Sequence, residues 1–528
     1  MEKILVIFCS FILISSVISG DRFHPRKHNE EIEGQWRPGS DPQGISLDGY
    51  TEFWMKHGQD YLNTQINRKT NNGKAKNIIM FLGDGLTLST TAATRKYLGG
   101  EEVQLAYEEL PYYGLVKTYC VDRQVPDSAC TANAFLHGVK NNYQGIGVSA
   151  NVPRANCDYE DEDITYSIAK WAQDAGMATG IVTTTRITHA TPAGAYAHVP
   201  HRSWENDAEI RSRCGSTPTR RTVDIAEQLV YNEEAQKFKV ILGCGRRNFL
   251  NTTVRDEENV AGRRTDGRNL IDEWIQERSR VGKAEYVWHR QQLDEIDVAN
   301  TDYLMGLFES DHCMYRNDII DNRLLRQEPL LTDMTRKAIQ MLQKDDNGFF
   351  LLVEGGRIDH AHHANRARQS LDETAEFARA VELARLLTND NDTMIVVTSD
   401  HSHVFTYAGY PYRWQDVLGI AMRGGDGLPF ETLSYSNGPS NANTFVNGVR
   451  RDITNDNFSA SRRTHQSMVP LSSETHAAED VAVYAGGPWS HLLTGSFEQS
   501  SIPMVMAYSA QIGPFANRFP VEPIKGTE

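Results

Sequence analysis

Five short apolar runs recur along this 528-residue chain, each ending in a polar or glycine-rich turn. Asn77-Ile-Ile-Met-Phe-Leu82 leads into Gly83-Asp84-Gly85, and Gly180-Ile-Val-Thr-Thr-Thr185 into His189-Ala-Thr191-Pro192. Lys239-Val-Ile-Leu242 leads into Gly243-Cys-Gly245, and Phe349 to Val353 into Glu354. Thr393-Met-Ile-Val-Val-Thr398 leads into Ser399-Asp400-His401-Ser402-His403. Between them lie helical stretches such as Ser370 to Leu387, where Leu371, Ala375, Ala378 and Val381 trace one face. Apolar strands alternating with amphipathic helices predict an α/β fold: a largely parallel central β-sheet flanked by helices on both faces. In such sheets functional residues collect beyond the carboxyl ends of the strands. Asp84, Thr191, Glu354, Asp400 and His401 each follow a candidate strand, so parallel topology would carry them to one edge.

Residues 354–363 read Glu-Gly-Gly-Arg-Ile-Asp-His-Ala-His-His. Asp359 and His363 stand four apart, so at the start of a helix they point the same way and could share one ion. The plainer reading is a solvated turn with chance histidines. The ligand-rich fragments after the other apolar runs favour metal binding. Ser128, in Pro126-Asp127-Ser128-Ala129, opens an alanine-rich helical stretch. It could simply be part of an N-cap. An oxygen at a helix N-terminus also sits in a field that favours an alkoxide or a bound phosphate. A Ser-His-Asp triad is possible in principle, but no Gly-x-Ser-x-Gly elbow surrounds Ser128; metal coordination is the other way to activate a serine.

A net charge of −15 argues against a nucleic-acid partner, whose phosphates reward a basic face. It also means that an anionic substrate would need a local arginine or metal cluster. Residues 1–20 have the short basic start, the apolar core and the small terminal residues of a secretory signal peptide. Residues 21–70 read as an N-terminal arm, irregular until Phe53-Trp54. Residues 71–408 and 476–515 read as the α/β body, and 516–528 as a polar tail without the hydrophobic segment of a lipid-anchor signal. Residues 409–475 are rich in Gly, Asn, Ser and Pro and lack periodicity. They read as a small cap inserted before His476. Export makes disulfides the expectation for Cys120, Cys130, Cys157, Cys214, Cys244 and Cys313, and sequence alone leaves their pairing open. Asn251, Asn391 and Asn457 begin glycosylation sequons expected in loops.

From about Phe53 to Phe515 the motifs resemble those of the alkaline phosphatases, in their animal form. The resemblance rests on Gly83-Asp84-Gly85, Pro126-Asp127-Ser128-Ala129, His189 to Gly194, His201-Arg202-Ser-Trp204, Glu354 to His363, Asp400-His401-Ser-His403 and Glu474 to Asp480. It implies one zinc on Asp359, His363 and His476, and a second on Asp84, Asp400 and His401 with Ser128 as a further ligand. It also implies magnesium on Asp84, Thr191 and Glu354. These donors suit the ions, nitrogen and carboxylate for zinc and oxygen for magnesium. Ser128 would be the nucleophile and Arg202 the clamp on the phosphoryl oxygens, which a planar guanidinium matches two at a time. On its own, Arg202 reads as a surface arginine.

The same resemblance gives His189, His360 and His403 orienting roles and leaves His362 structural. In vertebrate relatives it extends to a calcium site at the Phe308 carbonyl, Glu309 and Glu328, with Glu258 a looser match. Cys157 and Cys214 match a vertebrate disulfide, and Cys120 and Cys130 flank the nucleophile motif without a counterpart. The implied activity is hydrolysis of small phosphate monoesters through a phosphoserine, rising at alkaline pH, in a secreted homodimer without an evident membrane anchor. Two rivals remain. One is a phosphodiesterase or sulfatase of the same superfamily, although the sulfatase Cys-x-Pro-x-Arg signature is absent and such diesterases use threonine. The other is a catalytically silent secreted glycoprotein on the same fold.

Overall fold

The five runs become the adjacent middle strands of one ten-stranded sheet in the computed structural model, which describes residues 40–41, 44–45, 51–215 and 221–516. In chain order the strands are β1 (Asn77–Gly83), β2 (Tyr112–Lys117), β3 (Ala178–Arg186), β4 (Phe238–Cys244) and β5 (Ala284–Val287). They continue with β6 (Tyr303–Leu307), β7 (Phe349–Gly355), β8 (Thr393–Ser399), β9 (Val481–Gly486) and β10 (Gly495–Glu498). Their order across the sheet is β10-β2-β9-β8-β1-β7-β3-β4-β6-β5. Only β9 runs against the others. Ser399 pairs with Gly83, Leu82 with Glu354, and Glu354 with Thr183, so the central strands end level with one another.

The strands are apolar on both faces because both faces are covered. Ile78, Met80 and Leu82 of β1 join one buried cluster, with Phe135 and Leu136 of helix α2. Ile79 and Phe81, alternating with them, join a second cluster on the opposite face. That cluster includes Phe377 and Val381, from the long helix that follows β7. The helices that matter below are α1 (Thr51–Asn67), α2 (Ser128–His137), α3 (Ala190–Ala193), α4 (Arg357–His363) and α5 (Ala367–Leu387). Leu371, Ala375, Ala378 and Val381 of α5 are all buried, as their spacing predicts.

Two readings change. In the segment read as an arm, α1 opens at Thr51, beside the Phe53-Trp54 stretch where the irregular reading ends, and is a 17-residue helix with no buried residue. The segment 409–475 carries short strands: Leu433–Gly438 pairs with Phe405–Tyr407 and Ser467–Pro470, and Ile420–Arg423 pairs with Pro429–Glu431. Strands this short are too brief to leave a period in a glycine-rich sequence. Asn251 is only 8% exposed and accepts from Thr253, which leaves its sequon little room for a glycan, whereas Asn391 and Asn457 are exposed. Residues 1–20 and 517–528, with their signal and tail readings, lie outside the described residues. The six mature cysteines pair as Cys120–Cys130, Cys157–Cys214 and Cys244–Cys313.

Candidate metal centre and nucleophile

Level strand ends put the turns after β1, β7 and β8 side by side. Asp84 follows β1, fully buried, and both of its carboxylate oxygens lack a hydrogen-bond partner. Burial, then the neighbouring carboxylates of Asp400, Asp359 and Glu354, push its pKa well above the usual range. Asp400 follows β8; its Oδ1 accepts from the Gly85 and His401 amides at 3.0 and 2.9 Å, and its Oδ2 has no partner. Gly85 has φ +69°, and a Cβ there would meet the His403 ring at 2.5 Å, so glycine is required. His401 Nε2 lies 3.1 Å from Asp400 Oδ2, 3.7 Å from Asp84 Oδ1 and 3.3 Å from Ser128 Oγ.

Glu354 forms part of β7, one position short of the expected turn. Its Oε2 accepts from Thr183 and, at 3.0 Å, from Thr185, while its Oε1 has no partner. Burial raises its pKa to about 7, against the pull of the Thr183 hydroxyl. Helix α3 packs on β7, and the Thr191 hydroxyl it carries is buried and unpartnered.

Asp359 and His363 share a face of α4, and His476 arrives from the far side of the cap segment. His363 Nε2 and His476 Nε2 are 3.1 Å apart, and Asp359 Oδ1 is 3.4 Å from the first and 3.3 Å from the second. The Nδ1 atoms of the two histidines face backbone carbonyls, Glu474 O at 2.5 Å and Pro126 O at 2.8 Å. A carbonyl only accepts, so each Nδ1 carries a proton, and in the neutral imidazole each Nε2 is a bare lone pair. Two lone pairs and a carboxylate pointed at one spot repel unless a cation lies between them. The donor set therefore fits a metal on its own geometry. Asp84, Asp359 and His401 offer a second convergence, their ligand atoms all within 4.8 Å of one another. Burial alone would raise Asp359, but His363 and His403 beside it hold its carboxyl well below the usual range.

His403 bridges Glu474 Oε2 at 2.5 Å and Asp359 Oδ1 at 2.7 Å. Burial would lower its pKa, and the two carboxylates instead hold it up at about 10, so it remains charged and orients Asp359. His362, read as structural, is fully buried and hydrogen-bonded to Thr90, Ser370 and Tyr435.

Ser128 is the first residue of α2 and Asp127 is its N-cap, accepting from the Cys130 amide. Arg202 donates from Nη1 to Asp127 Oδ2 at 3.0 Å and from Nη2 to His189 Nε2 at 2.9 Å. It is a tethered group facing the cavity and not a loose surface arginine. Ser128, Arg202, Asp359, His363 and His476 line one cavity of about 840 Å³, with His360 at its wall. Sequence reasoning gave no role to Glu474, Thr183 or Thr185. Glu474 lies two residues before His476 and so on the same side of an extended chain, which was the available signal.

A second acidic group lies behind β4 and β6. Glu309 is pushed up to about 7 by burial and then by Glu258, and Glu328 is raised well above its usual value by burial and then by Glu309. Arg246, fully buried, donates to Asp256 at 3.2 Å and to Glu258, and among the described residues no arginine pairs directly with Glu309 or Glu328. An oxygen-rich, under-neutralised cluster of this kind suits a hard cation.

The alkaline phosphatase family profile matches residues 75–512. The chain is 45% identical over 512 residues to a membrane-bound alkaline phosphatase of Bombyx mori, covering 94% of this chain and 90% of that one. It is 42% identical over 479 residues to the Homo sapiens tissue-nonspecific isozyme, covering 88% and 89%. Among solved structures it resembles the Thermus thermophilus alkaline phosphatase, with TM-score 0.59 and 26% identity over 85% of this chain and 94% of that one. The enzyme of the Antarctic bacterium TAB5 shares the fold at TM-score 0.57 and 22% identity, over 84% and 99%. With the profile spanning most of its length and these relatives matched nearly end to end, the chain belongs to the alkaline phosphatase family.

Proposed function

We propose that this member of a metal-dependent phosphomonoesterase family hydrolyses small phosphate monoesters by a two-step transfer through Ser128. Asp359, His363 and His476 would hold one zinc, and Asp84, Asp400 and His401, with Ser128 Oγ, a second. Asp84, Thr191 and Glu354 would hold magnesium, and a mutant of the TAB5 enzyme has been solved with magnesium in its M3 site. Bound there, the ions would supply Lewis-acid stabilisation of charge on the entering and leaving oxygens.

The chain's own groups set the geometry. Ser128 Oγ gives up its proton to solvent and bonds to phosphorus as the bond to the alcohol oxygen breaks, and the alcohol oxygen takes a proton from solvent as it leaves. Arg202, held by Asp127 and His189, presents two parallel donors to the non-bridging oxygens without reorganising. The N-terminus of α2 directs its unpaired amides toward the same negative charge. Water oxygen then bonds to phosphorus, the Oγ–P bond breaks, Oγ regains a proton and inorganic phosphate departs.

The observation that carries this reading is the pair of bare imidazole edges 3.1 Å apart beside Asp359, opening on the cavity that Ser128 lines. The test is zinc and magnesium content by elemental analysis, with hydrolysis of a phosphomonoester, a phosphodiester and a sulfate ester by wild type and Ser128→Ala. Zinc-loaded wild type acting mainly on the monoester, and an inactive variant of unchanged fold, are the expected results. Turnover surviving in Ser128→Ala removes the nucleophile, and a metal-free wild type of full activity removes the ions.

Calcium at Glu309 and Glu328 belongs to the same proposal, as does residues 409–475 acting as a cap. So does a homodimer, for which α1 offers the exposed apolar residues Met55, Tyr61, Leu62 and Ile66. Export belongs to it too; among the described residues no helix is long and apolar enough to cross a membrane.

A further inference from the structure

The segment that delivers the nucleophile has no regular structure of its own. β2 ends at Lys117, α2 begins at Ser128, and the ten residues between them are irregular. Such a segment would ordinarily open and close locally, taking the first turn of the helix with it, because those amides have no partners within the helix. Here the disulfide Cys120–Cys130 ties the start of the segment to the first turn of α2, two residues beyond Ser128. Cys120 and Cys130 are 2% and 1% exposed.

The covalent ring so formed, residues 120–130, contains more than the serine. The Pro126 carbonyl accepts from His476 Nδ1 at 2.8 Å, fixing the tautomer that leaves Nε2 bare. Asp127 Oδ2 accepts from Arg202 at 3.0 Å, and Oδ1 accepts from the Gln144 amide at 2.9 Å. Inside the ring, the Cys120 amide donates to the Arg123 carbonyl at 3.1 Å. Nucleophile, phosphate clamp and one metal-ligating histidine are therefore all referenced to one short loop. Any breathing of that loop would move the three out of register together. The Cys157–Cys214 bridge differs: its loop also encloses His189, Thr191 and Arg202, but at 57 residues it is too long to hold them in a tight ring.

We propose that Cys120–Cys130 is a positioning element for catalysis, a brace that keeps Ser128, the Asp127 anchor of Arg202 and the Pro126 anchor of His476 in mutual register. The proposal rests on Ser128 being the nucleophile, and the test separates the two. Three variants are compared as metal-loaded proteins well below their melting temperatures: Cys120→Ala/Cys130→Ala, Cys157→Ala/Cys214→Ala and Ser128→Ala. The readouts are kcat/KM on a phosphomonoester, the inhibition constant of inorganic phosphate and the melting temperature.

The brace predicts a loss of about tenfold or more in kcat/KM and weaker phosphate inhibition for Cys120→Ala/Cys130→Ala. Cys157→Ala/Cys214→Ala should melt earlier yet keep kcat/KM within about twofold. A loss below tenfold in the first variant overturns the proposal, and so does an equal loss in both, since activity would then follow stability alone. Ser128→Ala should be inactive; if it is active, the nucleophile reading fails, whatever the cysteine variants do. Should the first variant not fold, wild type is partly reduced with a phosphine, alkylated and mapped by mass spectrometry. Loss of activity tracking modification of Cys120 and Cys130 supports the brace, and full activity in molecules alkylated at both overturns it.

Discussion

Arg202→Ala is the perturbation whose size the geometry sets most directly. The guanidinium is tethered on one side by Asp127 and on the other by His189, with its fork turned to the cavity that Ser128 lines. Two charge-assisted hydrogen bonds to phosphoryl oxygens, at about 1.5–3 kcal/mol each, amount to about 3–6 kcal/mol. Because the fork is already held, little of that is lost to ordering, and kcat/KM should fall by about 10² to 10⁴. The fold should suffer less. Asp127 is buried but retains the amide donors of Gln144 and Cys130, so the stability cost is about 1–2 kcal/mol. Arg202→Lys keeps the charge but reaches one oxygen at a time, so it should recover only part of the loss. The assay is steady-state hydrolysis of a phosphomonoester together with the inhibition constant of inorganic phosphate. If Arg202→Ala stays within about tenfold of wild type and phosphate inhibits it equally well, the arginine merely anchors Asp127 and the clamp is wrong.

Metal removal by chelator should abolish activity and lower the melting temperature by calorimetry. Each site filled at 100 times its dissociation constant contributes about 2.7 kcal/mol, and zinc plus magnesium should restore it. An unchanged melting temperature would mean that the facing lone pairs of His363 and His476 need no cation. His137 is held down to about 4, first by burial, against the Gly194 carbonyl that favours its charged form. Its contribution is present above pH 6.5 and is lost as pH falls through about 4, up to about 3 kcal/mol. Urea titrations across that range should show His137→Gln losing less stability on acidification than wild type. Asp224 pairs both carboxylate oxygens with fully buried Arg264 at 2.9 Å, so Asp224→Ala strands a buried charge. It should cost about 3–5 kcal/mol in denaturant unfolding with little change in kcat/KM, and a loss below 1 kcal/mol would show that Asp266 suffices.

The middle of the sheet was legible because β8, β1, β7, β3 and β4 are buried on both faces, and a strand so placed must be a continuous apolar run. Three of the five flanking strands gave no such signal. β2 contains Tyr112, Tyr113 and Gly114 and is partly exposed, β5 is four residues long and largely unburied, and β10 has no buried residue. Within the site, Asp84, Asp400 and His401 were readable as residues that follow strands. His476 precedes a strand, so strand-end geometry alone would have passed it by, and the family motif supplied it. Arg202 reads as surface until the cap of α2 is seen to hold it. Of the disulfides, the family resemblance supplied Cys157–Cys214; the residues alone left the pairing open because it depends on loops whose paths leave no periodic trace.

The reversed direction of β9 has its own consequence. Both stems of the segment between His403 and His476 meet at one rim, zipped by the ribbon that pairs Ser402 with Ala477 and His403 with His476. Whatever hangs from that rim can lengthen, shrink or change its surface while the strands beneath keep their registration. The chain thus has a place where its outward face is free to diversify, and the last imidazole is pinned at the root of that outgrowth.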